Sequence, residues 1–381
     1  MVLKSNTFFE SSKVLLIKIT CGAWLIAKLF SWKLWTNDRV FPIVPIFEST
    51  PNFSNQTHFS LYFLSLLGLI MIFFFTKNKI IISLFLSVEI ISCALDLMRW
   101  QPWEYQYLLV FLFFLISKKN THEFQNRFLI LLIAIYIFSG FHKCNGDFLY
   151  RVWDNMILRN IFNFSNLDVA HSGIHYFGLI FPFIEISIGF GLLFSLNKKS
   201  FASLAILTHL LILIAFSPFV LDTNHIVLTW NLLMIGYVWI MYFYQTDNHI
   251  PKTFFIQKTN LVIVLFVIIL PISNFFGWYN SYFSFNLYGG NTKQMVICDN
   301  NLEVETDLKI AVTSNNILYF GDFKNILNPN KLALTELKVP ICPDVFVYKK
   351  LKKAWENKFF GMKNTFILFW YPFKQECIEK I

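Results

Sequence analysis

Long apolar segments separated by short polar turns recur along the first 276 residues of the chain. A helix of about 20 apolar residues crosses a hydrocarbon core of about 30 Å, so this pattern predicts nine membrane-spanning helices. Lys18 and Lys28 interrupt the first segment, and the fourth is short for a full crossing, so eight spans is the alternative. The nine segments lie near residues 13–35, 57–76, 80–98, 104–117, 126–142, 171–196, 200–217, 225–245 and 260–276.

Basic residues are distributed unevenly between alternate turns. Because lysine and arginine gather in the cytoplasmic turns of membrane proteins, the richer set predicts a cytoplasmic N-terminus. With nine spans, the region after the last span then lies outside, in the periplasm or its equivalent, and the protein belongs to an inner or plasma membrane. The richer set comprises Lys77, Lys79, Lys118, Lys119, Arg127, Lys198, Lys199, Lys252 and Lys258, and the opposite set Arg39, Arg99, Lys143, Arg151 and Arg159.

The sequence changes character near Gly277, which divides the chain into a helical bundle, 1–276, and a C-terminal region, 277–381. Short β-prone runs at 302–310, 317–323 and 345–348, separated by Asn, Pro and Asp, predict a small external domain that contains β-strands. Three cysteines, Cys298, Cys342 and Cys377, fall in this region. One disulfide among them is compatible with an oxidising compartment, and the pairing is left open.

Composition agrees with this architecture, since 56% of the residues are hydrophobic and only 14% are charged. That is more apolar surface than the core of a soluble domain can bury, so the fold class is an all-α polytopic membrane protein. The net charge of +9 comes from residues scattered through short turns, which does not indicate a nucleic-acid partner. The lipid bilayer is therefore the first partner that the sequence predicts.

The third span contains polar residues at helical spacing. Glu89, Cys93 and Asp96 share a stripe that leads toward the outer surface, and Arg99 follows Asp96 by three residues. Ionisable groups in a bilayer need partners and often mark functional sites. Asp96 is thus a candidate catalytic residue and Arg99 a candidate binding residue. The alternative is a structural pair of the two that fixes the end of the helix.

The next outer turn combines hydrogen-bonding groups with large rings. Gln101, Trp103 and Tyr107 are candidates for lining a substrate cavity, and Glu104 and Gln106 lie among them. Interfacial belts of Trp and Tyr need no ligand, so the rings alone have a simpler explanation. The polar side chains of Gln101, Glu104 and Gln106 are harder to explain as members of such a belt.

The fifth span ends with Tyr136, Ser139, Gly140 and Lys143 on one helical face, and His142 precedes the lysine. A lysine in an apolar pocket loses part of the hydration that stabilises its ammonium form, and the neutral amine can act as a base. The alternative is a lysine that extends its charge to the membrane surface.

Four histidines fall in or beside the later spans. His171 and His175 are spaced to bind a metal, but no third ligand accompanies them and no metal site is predicted. His209 in the seventh span and His225 in the turn before the eighth are candidate substrate-binding residues, together with Tyr136.

Residues 136–148 (Tyr-Ile-Phe-Ser-Gly-Phe-His-Lys-Cys-Asn-Gly-Asp-Phe) resemble a segment of the vitamin K-dependent γ-carboxylase-like transmembrane proteins, also called the horizontally transferred transmembrane domain family. The family pattern is Tyr-Phe-x-Ala-Gly-x-Lys-Lys-Leu-Asp-x-Asp-Trp, and its second lysine falls on Lys143. Residues 103–108, 208–209 and 283–285 are similar to further family motifs in the same order. The family's Asn-His pair is absent from the 100–107 turn, and His142 replaces its first lysine.

The resemblance implies a divergent, bacterial-type member that binds a reduced quinone of the menaquinone or vitamin K type. In that function Lys143 removes the phenolic proton at an outward-facing site, and Asp96, His142 or Gln101 orient the ring oxygens. A peptide or protein substrate would meet the site from the outer side. The alternative is a non-catalytic accessory protein for peptide maturation, export or partner binding.

Overall fold

The computed structural model is mostly helical and describes residues 2–47, 53–118, 122–165, 168–169, 173–222, 224–245, 250–251, 254–255, 257–299, 308, 325–360, 364–369 and 379–381. Among the described residues, nine main helices form the bundle, one in each segment that the apolar pattern predicts. They are α1 (Val2–Phe30), α2 (Asn55–Phe74), α3 (Lys79–Leu95), α4 (Pro102–Ile116), α5 (Glu123–Lys143), α6 (Ile180–Phe194), α7 (Lys198–Ala215), α8 (Ile226–Trp239) and α9 (Lys258–Val264).

Several helices continue beyond these bounds in tighter or wider turns. A 3₁₀ stretch, Gly173–Leu179, leads into α6, and π-helical turns extend α8 to Tyr244 and α9 toward Asn274. Within the described residues, five helices are long and apolar enough to cross a membrane. They are Asn55–Phe74, Glu123–Lys143, Gly173–Phe194, Lys198–Ala215 and Ile226–Tyr244.

Helix α5 is the centre of the bundle. Most of its side chains are buried, including an unbroken run from Phe128 to Tyr136. By contrast, α2 and α7 bury few of their side chains, and phenylalanine and leucine are prominent among the exposed ones. A helix that is apolar all round is stable at such a surface only when lipid covers it, so this burial pattern fits a membrane bundle with α5 inside.

The C-terminal region contains a small antiparallel sheet. Its strands are β1 (Gln294–Asp299), β2 (Asn325–Leu327), β3 (Asn364–Phe369) and β4 (Glu379–Lys380), in the order β2-β1-β3-β4. Ile297 pairs with Leu327 on one side and with Phe366 on the other. Helices α10 (Pro329–Glu336) and α11 (Val345–Lys358) complete this region.

The strand predicted at 345–348 is wrong, because these residues begin α11. The buried side chains of α11 recur at helical spacing, at Val347, Tyr348, Leu351 and Trp355. This helical pattern outweighs the β propensity of the first four residues. The run at 317–323 lies outside the described residues, as does 302–310 except for Leu308.

Cys342 carries a free thiol whose Sγ lies 3.3 Å from Asp344 Oδ2, to which it donates. Burial raises the pKa of this thiol well above its ordinary value, so it is protonated at neutral pH. A disulfide through Cys342 is therefore not formed in this structure. Cys298 is buried on β1, and Cys377 lies outside the described residues.

The C-terminal region packs against four turns of the bundle. Glu336 accepts the backbone N–H groups of Val40 and Phe41, both at 2.7 Å, in the turn after α1. The other three contacts reach the segments that follow α3, α5 and α7, and the segment after α5 includes a π-helix, Leu149–Arg159. They join Gln101 Nε2 to Pro340 O (3.1 Å), Arg151 Nη2 to Thr292 Oγ1 (2.8 Å) and Asn224 Nδ2 to the Tyr288 hydroxyl (2.7 Å).

Candidate functional site

Lys143, at the C-terminal end of α5, forms an ion pair with Glu185 of α6. Its Nζ lies 2.7 Å from Oε1 and 2.6 Å from Oε2, and it also donates to the Ser139 hydroxyl at 2.7 Å. Both charged side chains are only 12% exposed. Nζ of the lysine thus lies within hydrogen-bond distance of both oxygens of one carboxylate, at the edge of an apolar helix contact.

Close packing of α5 on α6 brings these charges together. A Cβ atom at Gly140 would lie 2.9 Å from both the backbone N of Ile186 and the backbone O of Pro182. On the facing helix, a Cβ at Gly189 would lie 3.1 Å from the backbone N of Ile137. Small residues at such positions let two membrane helices approach until their backbones touch.

Gly140→Ala is expected to lower the free energy of unfolding by about 1–3 kcal/mol, because the new methyl group would force α5 away from α6. The matched control is Gly22→Ala in α1, where a Cβ would meet nothing within 4 Å. That control should be neutral or stabilise by up to about 1 kcal/mol, since alanine favours a helix over glycine. Denaturant unfolding of both variants in detergent measures the difference, and equal stabilities would contradict the close approach.

A chain of hydrogen bonds lies one to two turns deeper on the same face of α5. The hydroxyl of Tyr136 lies 2.7 Å from His209 Nε2, and His209 Nδ1 lies 2.7 Å from Asn231 Oδ1. The Asn231 amide donates to Val227 O at 2.7 Å, which leaves its oxygen to accept from the imidazole. His209 is therefore the Nδ1–H tautomer, and Tyr136 donates to Nε2.

Four helices contribute to this candidate site. Lys143 and Tyr136 come from α5, Glu185 from α6, His209 from α7 and Asn231 from α8. The carboxylate of Glu185 is near enough to interact electrostatically with both Tyr136 and His209. The arrangement can accept, hold and pass a proton between groups that sit in apolar surroundings.

His142 faces a different side of α5 from Lys143. Its ring stacks on Phe275, with centroids 4.4 Å apart, and its backbone carbonyl accepts the N–H of Gly290 at 3.0 Å. Its Nε2 is buried and has no hydrogen-bond partner among the described residues. The structure thus puts the two adjacent candidate residues into separate environments.

An apolar groove of about 530 Å³ runs along α5 on the face opposite Lys143. Ile130, Ile137 and Phe141 of α5 line it, together with Phe190 of α6 and Ile272 beyond α9. Its volume lies in the range of small-molecule pockets, about 300–1,000 Å³. The ion pair and the groove therefore do not share a wall.

Asp96 and Arg99 lie in another cluster, at the end of α3. Asp96 Oδ2 accepts from Arg39 Nη2 at 2.5 Å, and Oδ1 accepts the N–H groups of Val44 at 3.2 Å and Met98 at 3.1 Å. Arg99 donates to the carbonyls of residues 34, 35 and 92. The main partner of Asp96 is thus Arg39, while Nε of Arg99 lies 3.9 Å from Asp96 Oδ2.

The remaining candidates also lie apart from Lys143. Gln101 Nε2 donates to Met98 O at 2.9 Å as well as to the C-terminal region, and Trp103 packs on Tyr107 with ring centroids 5.9 Å apart. His225 is partly exposed and bonds Asp222 Oδ1 at 2.8 Å. Of the ten predicted site residues, Lys143, Tyr136 and His209 belong to the candidate site, whereas Asp96 and Arg99 share a separate cluster and Trp103 packs on Tyr107.

Glu185 and Asn231 are not among the predicted site residues, although they contact Lys143 and His209 directly. Lys143 and Glu185 are 42 positions apart, so no local spacing reveals their contact. His175 bonds Asp154, Nδ1 to Oδ2 at 2.7 Å, and His171 lies outside the described residues. In the described part of the chain, no three His, Cys, Asp or Glu side chains gather as a metal site would require.

No protein-family model, curated protein or solved structure matches this chain. The resemblance to the carboxylase-like family therefore stays a prediction, and the site has to be interpreted from its own geometry.

Proposed function

We propose that the chain is a nine-span membrane protein with a cytoplasmic N-terminus and an external C-terminal region. The contacts of the C-terminal region support this topology, because they reach the turns after α1, α3, α5 and α7. If every main helix crosses the membrane, these four turns and the region after α9 all lie on one side. The lysine-rich turns then lie on the other side, as a cytoplasmic surface requires.

We further propose that the Lys143–Glu185 pair accepts the phenolic proton of a reduced quinone. The observation that carries this proposal is the doubly hydrogen-bonded ion pair itself, mostly buried between two apolar helices. Ionisable groups at such a position are costly to insert and mark functional sites by default. The resemblance at 136–148 adds the class of substrate.

The chemistry follows from the charges. Glu185 carries the negative charge, so the incoming phenol hydrogen-bonds to its carboxylate and transfers the proton there. The Lys143 ammonium then stabilises the phenolate oxygen that is left. If Lys143 first transfers its own proton to Glu185, the neutral pair that results contains the amine base that the sequence predicts, and this amine takes the phenolic proton instead. Reaction of the reduced quinone with one O₂ gives one epoxide and one water, which balances both atoms and electrons.

The test is epoxide formation by the purified protein, given reduced menaquinone or vitamin K hydroquinone under air and analysed by chromatography. Lys143→Ala and Glu185→Gln should each lower the rate by about 10²–10⁴-fold, the usual contribution of a positioned acid or base. Lys79→Ala is the control, since Lys79 bonds the carbonyls of Leu115 and Ser117 at the other end of the bundle. Folded wild-type protein that forms no epoxide would refute the proposal.

A non-catalytic accessory protein is the second candidate, and one observation favours it. Lys143 and Glu185 are already ion-pair partners of each other, as two residues that only hold α5 against α6 would be. In that function the external region and the four turns beneath it form the surface for a peptide or protein partner. Unchanged binding of this partner by the Lys143 and Glu185 variants, at equal amounts of folded protein, would favour this candidate.

A further inference from the structure

A second group of ionisable side chains lies inside the bundle, on helices that contribute nothing to the Lys143 site. Lys28 of α1, Glu89 of α3 and Glu104 of α4 are each fully buried. Burying a charge without a partner costs several kcal/mol even after relaxation, so each charge here needs a counter-charge. The three contain one cation and two potential anions.

Lys28 is paired with Glu89. Its Nζ lies 2.8 Å from Glu89 Oε2 and 3.0 Å from the centroid of the Trp35 ring, so the ammonium has a carboxylate and an aromatic face. The Ser65 hydroxyl donates to the other oxygen of Glu89. Both oxygens of this carboxylate are thus occupied by donors, as expected of the ionised form.

In the part of the chain that the structure describes, no cation forms an ion pair with Glu104. Its Oε2 accepts from Trp24 Nε1 at 2.7 Å, and its Oε1 lies 4.0 Å from Cys93 Sγ. Both of these partners are neutral groups. Cys93 lies one helical turn after Glu89 on α3, so this contact brings the carboxyl of Glu104 next to that of Glu89. Two carboxylates so placed would repel each other.

The nearby arginines do not supply the missing charge. Arg39 bonds Asp96, and Arg99 directs its N–H groups to backbone carbonyls, to Ser92 and to His58 Nδ1. Tyr107, one turn after Glu104, is also buried, and its hydroxyl has no partner among the described residues. Trp24, Cys93 and Tyr107 face Glu104 as neutral groups, and Lys28 is shared with Glu89.

We propose that Glu89 and Glu104 form an intramembrane proton-binding site that holds one proton between its two carboxyl groups. In the resting state Glu104 is the carboxylic acid, and its O–H donates to the Glu89 carboxylate, which remains paired with Lys28. Proton uptake converts the Glu104 carboxylate to the acid and brings the three side chains to zero net charge. The ligand of this site is a proton, and the site requires no quinone chemistry at Lys143.

Infrared spectroscopy of the protein in detergent tests the proposal, because a protonated carboxyl has a carbonyl stretching band that a carboxylate lacks. At neutral pH the wild type should show this band with a small shift in D₂O, although a glutamic acid side chain in water, with a pKa of about 4.3, is ionised there. Glu104→Gln should remove the band. Glu185→Gln is the matched control and should keep it.

Two outcomes would overturn the proposal. One is the absence of the band from folded wild-type protein at neutral pH, and the other is its persistence in Glu104→Gln. Should Glu104→Gln fail to fold, Lys28→Met gives an independent result. Without the ammonium, Glu89 should also become protonated and the band should roughly double in area, whereas an unchanged band would contradict the shared proton.

Discussion

Replacing Asp96 with alanine is expected to cost about 3–5 kcal/mol of unfolding free energy, the usual loss when one partner of a buried ion pair is removed. Asp96 accepts from Arg39 at 2.5 Å and from the backbone of Val44 and Met98. Its loss would leave Arg39 and Arg99, both buried, without the carboxylate between them. The substitution therefore leaves a buried positive charge without its counter-charge and two backbone N–H groups without their acceptor.

Asp38→Ala is the matched control, because Asp38 is exposed and lies next to Arg39 in the same turn. Exposed substitutions of this kind usually change stability by less than about 0.5 kcal/mol. Denaturant unfolding of the wild type and both variants in one detergent measures the difference. A loss below about 1 kcal/mol for Asp96→Ala would show that other groups balance the two arginines.

A second substitution at this position, Asp96→Asn, separates two roles that the sequence leaves open for Asp96. If Asp96 orients a quinone, Asp96→Asn should lower epoxide formation while it preserves the shape of the side chain. If Asp96 instead only holds the network around Arg39, the Asp96→Asn protein should be less stable, but its folded molecules should keep their activity. Activity per folded molecule is therefore the quantity to compare.

Hydropathy predicted the helices well because membrane insertion depends on long apolar segments, and each of the nine segments is helical in the structure. Helical spacing also placed Tyr136, Ser139 and Lys143 on one face correctly, since contacts within a helix follow its period. The α1 helix begins at Val2, earlier than the predicted 13, because polar residues can continue a helix that apolar residues start.

Contacts between distant segments could not be predicted in the same way. The Lys143–Glu185 pair depends on how α5 meets α6, and this is set by Gly140 and Gly189 together. The approach of Glu104 to Cys93 depends on how α3 meets α4, around a turn that Asp96 and Arg99 hold. Sequence spacing identifies such residues as polar groups in the membrane but not which of them touch.

The C-terminal region shows a different limit. Residues 345–348 alone have the composition of a strand. Over the fourteen residues of α11, however, the buried side chains recur at helical spacing, and this longer pattern is the one that forms. Strand β1 is central because β2 and β3 pair with its two edges, and this order follows from pairing between segments about 30 and 70 residues away. Propensity alone carries no information about such partners.

Exchange of the charges between Lys143 and Glu185 is expected to separate the two functions proposed for this pair. Lys143→Glu and Glu185→Lys should each lose about 3–5 kcal/mol of stability, because each leaves two like charges together at a mostly buried contact. The double variant restores one cation and one anion and should recover most of that loss. Unfolding free energies of the four proteins give the coupling energy directly.

Epoxide formation by the double variant then decides what the pair does. A proton acceptor has to sit where the phenol arrives, so moving the carboxylate from α6 to α5 should leave a stable protein with little activity. A structural tie needs only opposite charges, so the accessory-protein function would survive the exchange with stability. Single variants as stable as the wild type would show that the ion pair contributes nothing to either function, since a contact without coupling energy neither joins the helices nor holds a proton in place.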